Sequence, residues 1–179
     1  MMSKKLKFIT VAVLIVGIVF GFYLWQNYGW KIGIDDSCVK LEEHNISGVS
    51  MAPLLKDGER VKGLTGYYNC NEIKRGEIAI LKFLSREETF VKKIAGVPGD
   101  ELVFADNQLK LNGEILTNSV SEPYLFSEVS QRIISIPLKA GIIPEGKYFI
   151  LAEEITASAF DSRQFGFVEK EHLIGRVEK

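Results

Sequence analysis

The chain has 179 residues, enough for one globular domain plus an appended segment. It carries 22 basic and 23 acidic residues, and three of the basic ones, Lys4, Lys5 and Lys7, stand ahead of a long apolar run, so 19 basic residues face 23 acidic ones in the remainder. That acidic balance argues against nucleic acid as a partner, which would need a basic face, and no polybasic stretch marks a lipid-headgroup patch.

Residues 8–30 contain no charge, and their apolar core runs from Phe8 to Trp25. A stretch of that length, at about 1.5 Å per helical residue, spans the hydrocarbon layer of a bilayer. Tyr23, Trp25, Tyr28 and Trp30 suit the membrane–water interface at its far end. A cleaved secretory signal is the rival, but the run is too long for one and no small-x-small cleavage site follows it. Lys4, Lys5 and Lys7 predict a cytoplasmic N-terminus, which places the rest of the chain outside the cytoplasm. The expectation is a single-pass protein of the inner or plasma membrane. Residues 1–30 form the cytoplasmic tip and anchor, 31–41 a linker, and 42–179 the folded domain. The two cysteines, Cys38 and Cys70, can pair in such a compartment or remain buried thiols, and the sequence leaves both open.

Past the linker the chain reads as short strands broken by turns. Gly76–Phe83, Thr89–Ile94, Glu101–Phe104, Gln108–Leu111 and Glu114–Leu116 have β-branched or alternating character. Asn112-Gly113 is a strong hairpin signal between two of them. The polar stretch 118–131 is expected to be an exposed loop. Arg132–Ile136, Lys147–Leu151 and Leu173–Val177 complete the strands. No long helical period follows the apolar segment. The expected fold is mainly β, a folded antiparallel sheet or barrel-like domain behind one N-terminal transmembrane helix.

Two stretches carry chemistry. In Ser47-Gly48-Val49-Ser50-Met51-Ala52-Pro53, Gly48 permits close approach of a peptide backbone. Pro53 stiffens the exit, and Met51 sets an apolar side chain beside the Ser50 hydroxyl. A serine is a weak nucleophile until a base takes its proton. The chain has only His44 and His172, neither beside a nucleophile-elbow sequence. A lysine serves if burial keeps it neutral. Lys92 in Phe90-Val91-Lys92-Lys93-Ile94 has the apolar neighbours for that, and strand alternation sends Lys93 to the opposite face, toward water.

Four segments resemble successive boxes of the type I signal peptidases, the S26-type serine–lysine peptidases. They are Ser47–Leu55, Arg75–Ile78, Val91–Asp100, and Ile143–Leu151 running on to Asp161–Val168. The resemblance implies that Ser50 is the nucleophile and Lys92 the general base, that membrane-delivered preproteins are cut after small residues, and that no cofactor or metal takes part. It puts Gly48 where some members carry an oxyanion-assisting serine. It also implies a serine that orients the lysine, for which Ser158 is the candidate and Thr156 the reserve. Asp161 and Arg163 would form a charged pair supporting the site, and Met51 would contact substrate. The chain departs from the family at Ala152-Glu153-Glu154, where Gly-Asp-Asn is usual, and the following loop is one residue longer.

The implied partners are membrane-tethered preproteins, the lipid bilayer, and export or conjugation machinery. The Phe160-Asp161-Ser162-Arg163 wording is similar to the peptidases that mature conjugative pilins, so a dedicated pilin-maturation peptidase is one alternative. A non-catalytic anchored scaffold of a secretion apparatus is another. Ser37-Cys38-Val39-Lys40 matches the Ser-x-x-Lys of penicillin-binding enzymes but lacks its companion motifs.

Overall fold

The computed structural model describes residues 16–21, 23, 37–105, 108–156 and 159–178. The chain divides into two compact units, Met1–Asp35 and Asp36–Lys179. In the first, residues 16–21 and 23 are helical, and most of the expected anchor lies outside the described residues. Among the described residues no helix is long and apolar enough to cross a membrane.

The second unit is mainly β and antiparallel. Its elements in chain order are β1 (Lys40–Asn45), β2 (Arg60–Thr65), α1 (Tyr67–Cys70), β3 (Ile78–Lys82), β4 (Thr89–Gly96), β5 (Leu102–Ala105), β6 (Gln108–Leu111) and β7 (Glu114–Ile115). There follow α2 (Glu128–Ser135), β8 (Lys147–Leu151), α3 (Ser162–Phe165), β9 (Val168–Glu169) and β10 (Leu173–Glu178). Seven strands form one sheet in the order β1-β2-β10-β3-β4-β8-β9, and β5-β6-β7 form a second. The large sheet is open, with β1 and β9 at its edges, so it is a folded sheet and not a closed barrel. Lys40 and Leu41, assigned by composition to the linker, are the first residues of β1. A disulfide joins Cys38 to Cys70 in α1, tying the start of β1 to the segment after β2.

Strand β4 lies at the centre of the site. It pairs with β3 through Ala79↔Lys92 and Ile78↔Lys93, and with β8 through Lys93↔Leu151 and Ile94↔Ile150. The β4–β8 register slips between Ile94 and Gly96. A Cβ on Gly96 would stand 2.7 Å from the end of the Ile143 side chain and 3.2 Å from Phe149 Cβ, so a larger residue there would have to displace Ile143. Beyond it the turn to Asp100 is locked. The Asp100 carboxylate accepts the Val97 N–H at 2.9 Å, the Asn112 amide at 2.9 Å and both prongs of Arg75. Two apolar clusters pack against the sheet. One gathers Ile46, Met51, Leu55, Val61, Ile80 and Val177. The other gathers Leu102, Leu109, Tyr124, Ile134, Phe149 and Leu151.

Two expectations are corrected. Arg132–Ile136 is not a strand: residues 128–135 form α2. Ser127 caps it by accepting the Ser130 N–H at 3.1 Å, and Glu128 places a carboxylate in its first turn. Ile134 is fully buried while Ile136 is 76 % exposed, a helical spacing that the β-branched run conceals. Residues 118–131 are not simply an exposed loop either. Tyr124 and Phe126 are buried in the second cluster, because that segment closes the core above β8.

Candidate active site

Ser50 sits between β1 and β2 on a turn whose apolar side chains anchor it. Met51 and Leu55 are buried in the first cluster, and Leu55 N–H donates to the Met51 carbonyl at 2.8 Å. Gly48 adopts φ +88, the left-handed region that costs a side-chain-bearing residue, and its N–H donates to Asp57 Oδ1 at 2.8 Å. The turn is held from the other side as well. The Ser50 carbonyl accepts the N–H of Glu153 at 2.8 Å and of Glu154 at 3.2 Å. No backbone carbonyl among the described residues accepts the Ser50 N–H.

Lys92 reaches Ser50 from β4. Its Nζ lies 3.1 Å from Ser50 Oγ and 3.0 Å from its neighbour's carbonyl, Val91 O. Lys92 is 5 % exposed and has no carboxylate within ion-pair distance among the described residues. Burial pushes its ammonium below the usual lysine range. Asp161 opposes that shift, Arg163 reinforces it, and Glu154 opposes it more weakly. A neutral amine here can donate to Val91 O and turn its lone pair to the Ser50 hydroxyl. The pair lines a cleft of about 320 Å³ whose walls include Ile46, Met51, Phe90 and Phe160. Met51 thus serves both core and cleft wall, and Gly48 is not part of that lining.

Asp161 and Arg163 are both fully buried, unlike an ordinary surface ion pair, and meet at 2.6 Å. Asp161 also accepts the Ala152 N–H at 2.9 Å, and Arg163 donates to the Glu154 carbonyl at 2.7 Å. The pair therefore clips the loop after β8 to its own return. Within that loop Thr156 is exposed and donates to the Glu154 carboxylate. Ser158 lies outside the described residues. His44 lines the cleft, but its Nε2 is buried over Gly63 without a hydrogen-bond partner among the described residues. His172 stacks at 5.1 Å on Phe83 and accepts the Glu169 N–H.

Lys93 and Glu153 escaped the sequence reading. Lys93 does not face open water: its Nζ pairs at 2.6 Å with Glu153, whose side chain is fully buried. Burial works against ionising Glu153, but its bonds from Lys93 and Ser119 outweigh that and hold the carboxyl below its usual range. The signal was present in part: an acidic residue stands where the family usually carries Asp, and the second lysine was read as facing water.

The sequence profile described as "Signal peptidase, peptidase S26" matches residues 37–179. The chain belongs to this family. It is 30 % identical over 147 residues to signal peptidase IB of Staphylococcus aureus, covering 75 % of this chain and 74 % of that one. It is 31 % identical over 139 residues to signal peptidase I of Bacillus licheniformis, covering 75 % and 73 %. A signal peptidase I crystal structure from Enterococcus faecalis aligns with 60 % of this chain and 98 % of its own at 24 % identity, with a TM-score of 0.41. Membership makes the protein a serine peptidase, a hydrolase.

Proposed function

We propose that the protein is a membrane-anchored endopeptidase that removes signal peptides from translocated preproteins, with Ser50 as nucleophile and Lys92 as general base. The observation that carries this reading is the 3.1 Å contact between Lys92 Nζ and Ser50 Oγ on the wall of an open cleft, with the lysine otherwise buried. The names of the relatives support the substrate class.

The neutral Lys92 amine takes the Ser50 proton as Oγ attacks the scissile carbonyl carbon. The tetrahedral oxyanion turns to the Ser50 N–H, and Gly48 contributes no hydroxyl to it. On collapse the C–N bond breaks, Lys92 returns the proton to the leaving amine, and an ester joins the substrate acyl group to Ser50. Neutral Lys92 then takes a proton from water as its oxygen adds to the ester carbonyl; on collapse the C–Oγ bond breaks, Lys92 returns that proton to Ser50 Oγ, and the new acid leaves and ionises. Ser158 orients the Lys92 amine, with Thr156 in the same loop as the reserve.

The charge-free residues 8–30, with Lys4, Lys5 and Lys7 before them, support a single-pass anchor with the peptidase outside the cytoplasm. The Cys38–Cys70 disulfide agrees with that compartment. The anchor raises the effective concentration of membrane-tethered substrates at the cleft. Full-length protein in lipid vesicles, given a preprotein, should cut it once behind small residues. Ser50→Ala and Lys92→Ala should leave it whole, and cleavage by either variant would defeat the assignment.

A further inference from the structure

We propose that Phe160, with Phe90 beside it and the Arg86 guanidinium over both rings, forms a subsite that selects an aromatic side chain of the substrate close to the cleavage point. The inference rests on the reading of Ser50 and Lys92 as nucleophile and base. Phe90 and Phe160 line the same cleft as that pair. Their ring centroids are 4.9 Å apart, with the planes tilted by 41°. Behind them Phe165 lies 5.0 Å from Phe160, and Phe83 lies 6.1 Å from Phe160 and 5.4 Å from Phe165. The Arg86 guanidinium stands 4.5 Å from the Phe160 centroid and 5.8 Å from that of Phe90, which steadies the rings from the outside.

All four phenylalanines are only half-buried, and they stand outside the two apolar clusters that pack against the sheet. Rings serving the core alone would be covered, whereas Phe90 and Phe160 keep surface on the cleft. Phe160 also ends the loop that is one residue longer than the family's, so the ring sits where this chain departs from its relatives. Spacing decides which substrate residue meets it. Phe90 precedes Lys92 by two positions on β4 and shares its face, about 7 Å away along the strand. Among the described residues no strand pairs with β4 on its β8 side from Thr89 to Lys92, so an extended peptide has room to run there. Such a peptide advances at the same rate as β4, and the side chain that reaches the two rings belongs to a residue within about two positions of the attacked carbonyl. Aromatic rings favour tilted and edge-on partners at about 4.5–7 Å between centroids, the geometry this wall already has.

The test uses full-length protein and a set of fluorogenic peptides in which each position near the scissile bond, on both sides, carries Ala, Leu or Phe in turn. At one position the wild-type kcat/KM for Phe should exceed that for Ala at least about fivefold, with Leu clearly below Phe. In Phe160→Ala the Phe-to-Ala ratio at that position should fall to within about twofold of one, and Arg86→Ala, a change to an exposed side chain, should at least about halve it. If Phe160→Ala does not accumulate folded, Phe160→Leu keeps apolar bulk without the ring and should lower the ratio about threefold or more. A wild type with no preference for Phe over both Ala and Leu at any position overturns the proposal, as does a preference that the folded Phe160 variant leaves intact. Ser50→Ala is run alongside: activity there overturns the underlying reading, whereas an inactive Ser50→Ala with no Phe preference in the wild type overturns the subsite alone.

Discussion

The two faces of β4 at Lys92 and Lys93 make an instructive contrast. Both lysines are largely withdrawn from water, yet their surroundings differ. Lys93 meets a buried carboxylate at 2.6 Å. Lys92 meets a hydroxyl and a carbonyl and has no carboxylate within ion-pair reach among the described residues. Burial without a counter-charge favours the neutral amine, whereas a close carboxylate favours the ammonium. One strand thus presents a lysine without a close carboxylate on one face and an ion-paired lysine on the other. Adjacent residues of one type take different roles because the elements packed on each face differ.

The largest expected effect tests the Lys92 face. Ser50→Ala and Lys92→Ala should each lower kcat/KM by about a thousandfold or more, since groups acting as a unit fail together. Lys93→Ala should retain measurable turnover. A profile in which Lys93→Ala is dead and Lys92→Ala active would reverse the contrast.

On the other face the cost appears in stability. Lys93→Met leaves the Glu153 carboxylate buried without its cation, which should cost about 3 kcal/mol or more. Urea unfolding of the folded unit would read this directly, and a loss under about 1 kcal/mol would reduce the pair to a surface-like contact. The Cys38–Cys70 loop, with a sequence separation of 32, should contribute a comparable amount. The chain-entropy estimate is about 4 kcal/mol, lost on reduction.

Changing pH separates the two lysines further. Because the Lys92 ammonium is pushed down, kcat/KM should fall as pH drops through an apparent pKa below that of free lysine, about 10.4. A limb at the free-lysine value would contradict the assignment. Stability moves in the same sense. The unfolded chain binds the Lys92 proton more tightly, so its burial penalty is absent above about pH 10.4 and grows as pH falls toward the lowered value. Lys92→Met should therefore gain melting temperature relative to wild type at neutral pH and little at high pH. An equal gain at both would mean that packing alone is responsible.

The smallest effect expected is in the loop after β8. Ser158→Ala should slow acylation about tenfold, or 1.4 kcal/mol, and Thr156→Ala less, since its hydroxyl already serves Glu154. If both variants acylate at the wild-type rate, Val91 O and packing orient the amine by themselves.

Local sequence was enough for the strands around the site. Alternation and turn residues place β3, β4, β6 and β8 within two residues of their observed ends, because the side-chain period is a local property. The same reasoning fails at α2. There Ile133, Ile134 and Ile136 favour a strand, and the Ser127 cap with burial of Ile134 decides for a helix. The contact between the Ser50 and Lys92 segments was legible because serine, glycine, lysine and their apolar flanks form two short motifs. Lys93 and Glu153 were not, since they are 60 positions apart and each looks like a solvated charge.

By itself, then, the sequence determined the family, the mainly β class, and that neighbouring lysines on β4 must point apart. These follow from short-range order: motif spacing and a two-residue repeat. Only the tertiary structure decided that both faces of that strand are covered, that Cys38 meets Cys70, and that the departure at Ala152-Glu153-Glu154 seats a buried carboxylate against Lys93. Desolvation and ion pairing depend on which distant segments close over a residue, and no local pattern encodes that.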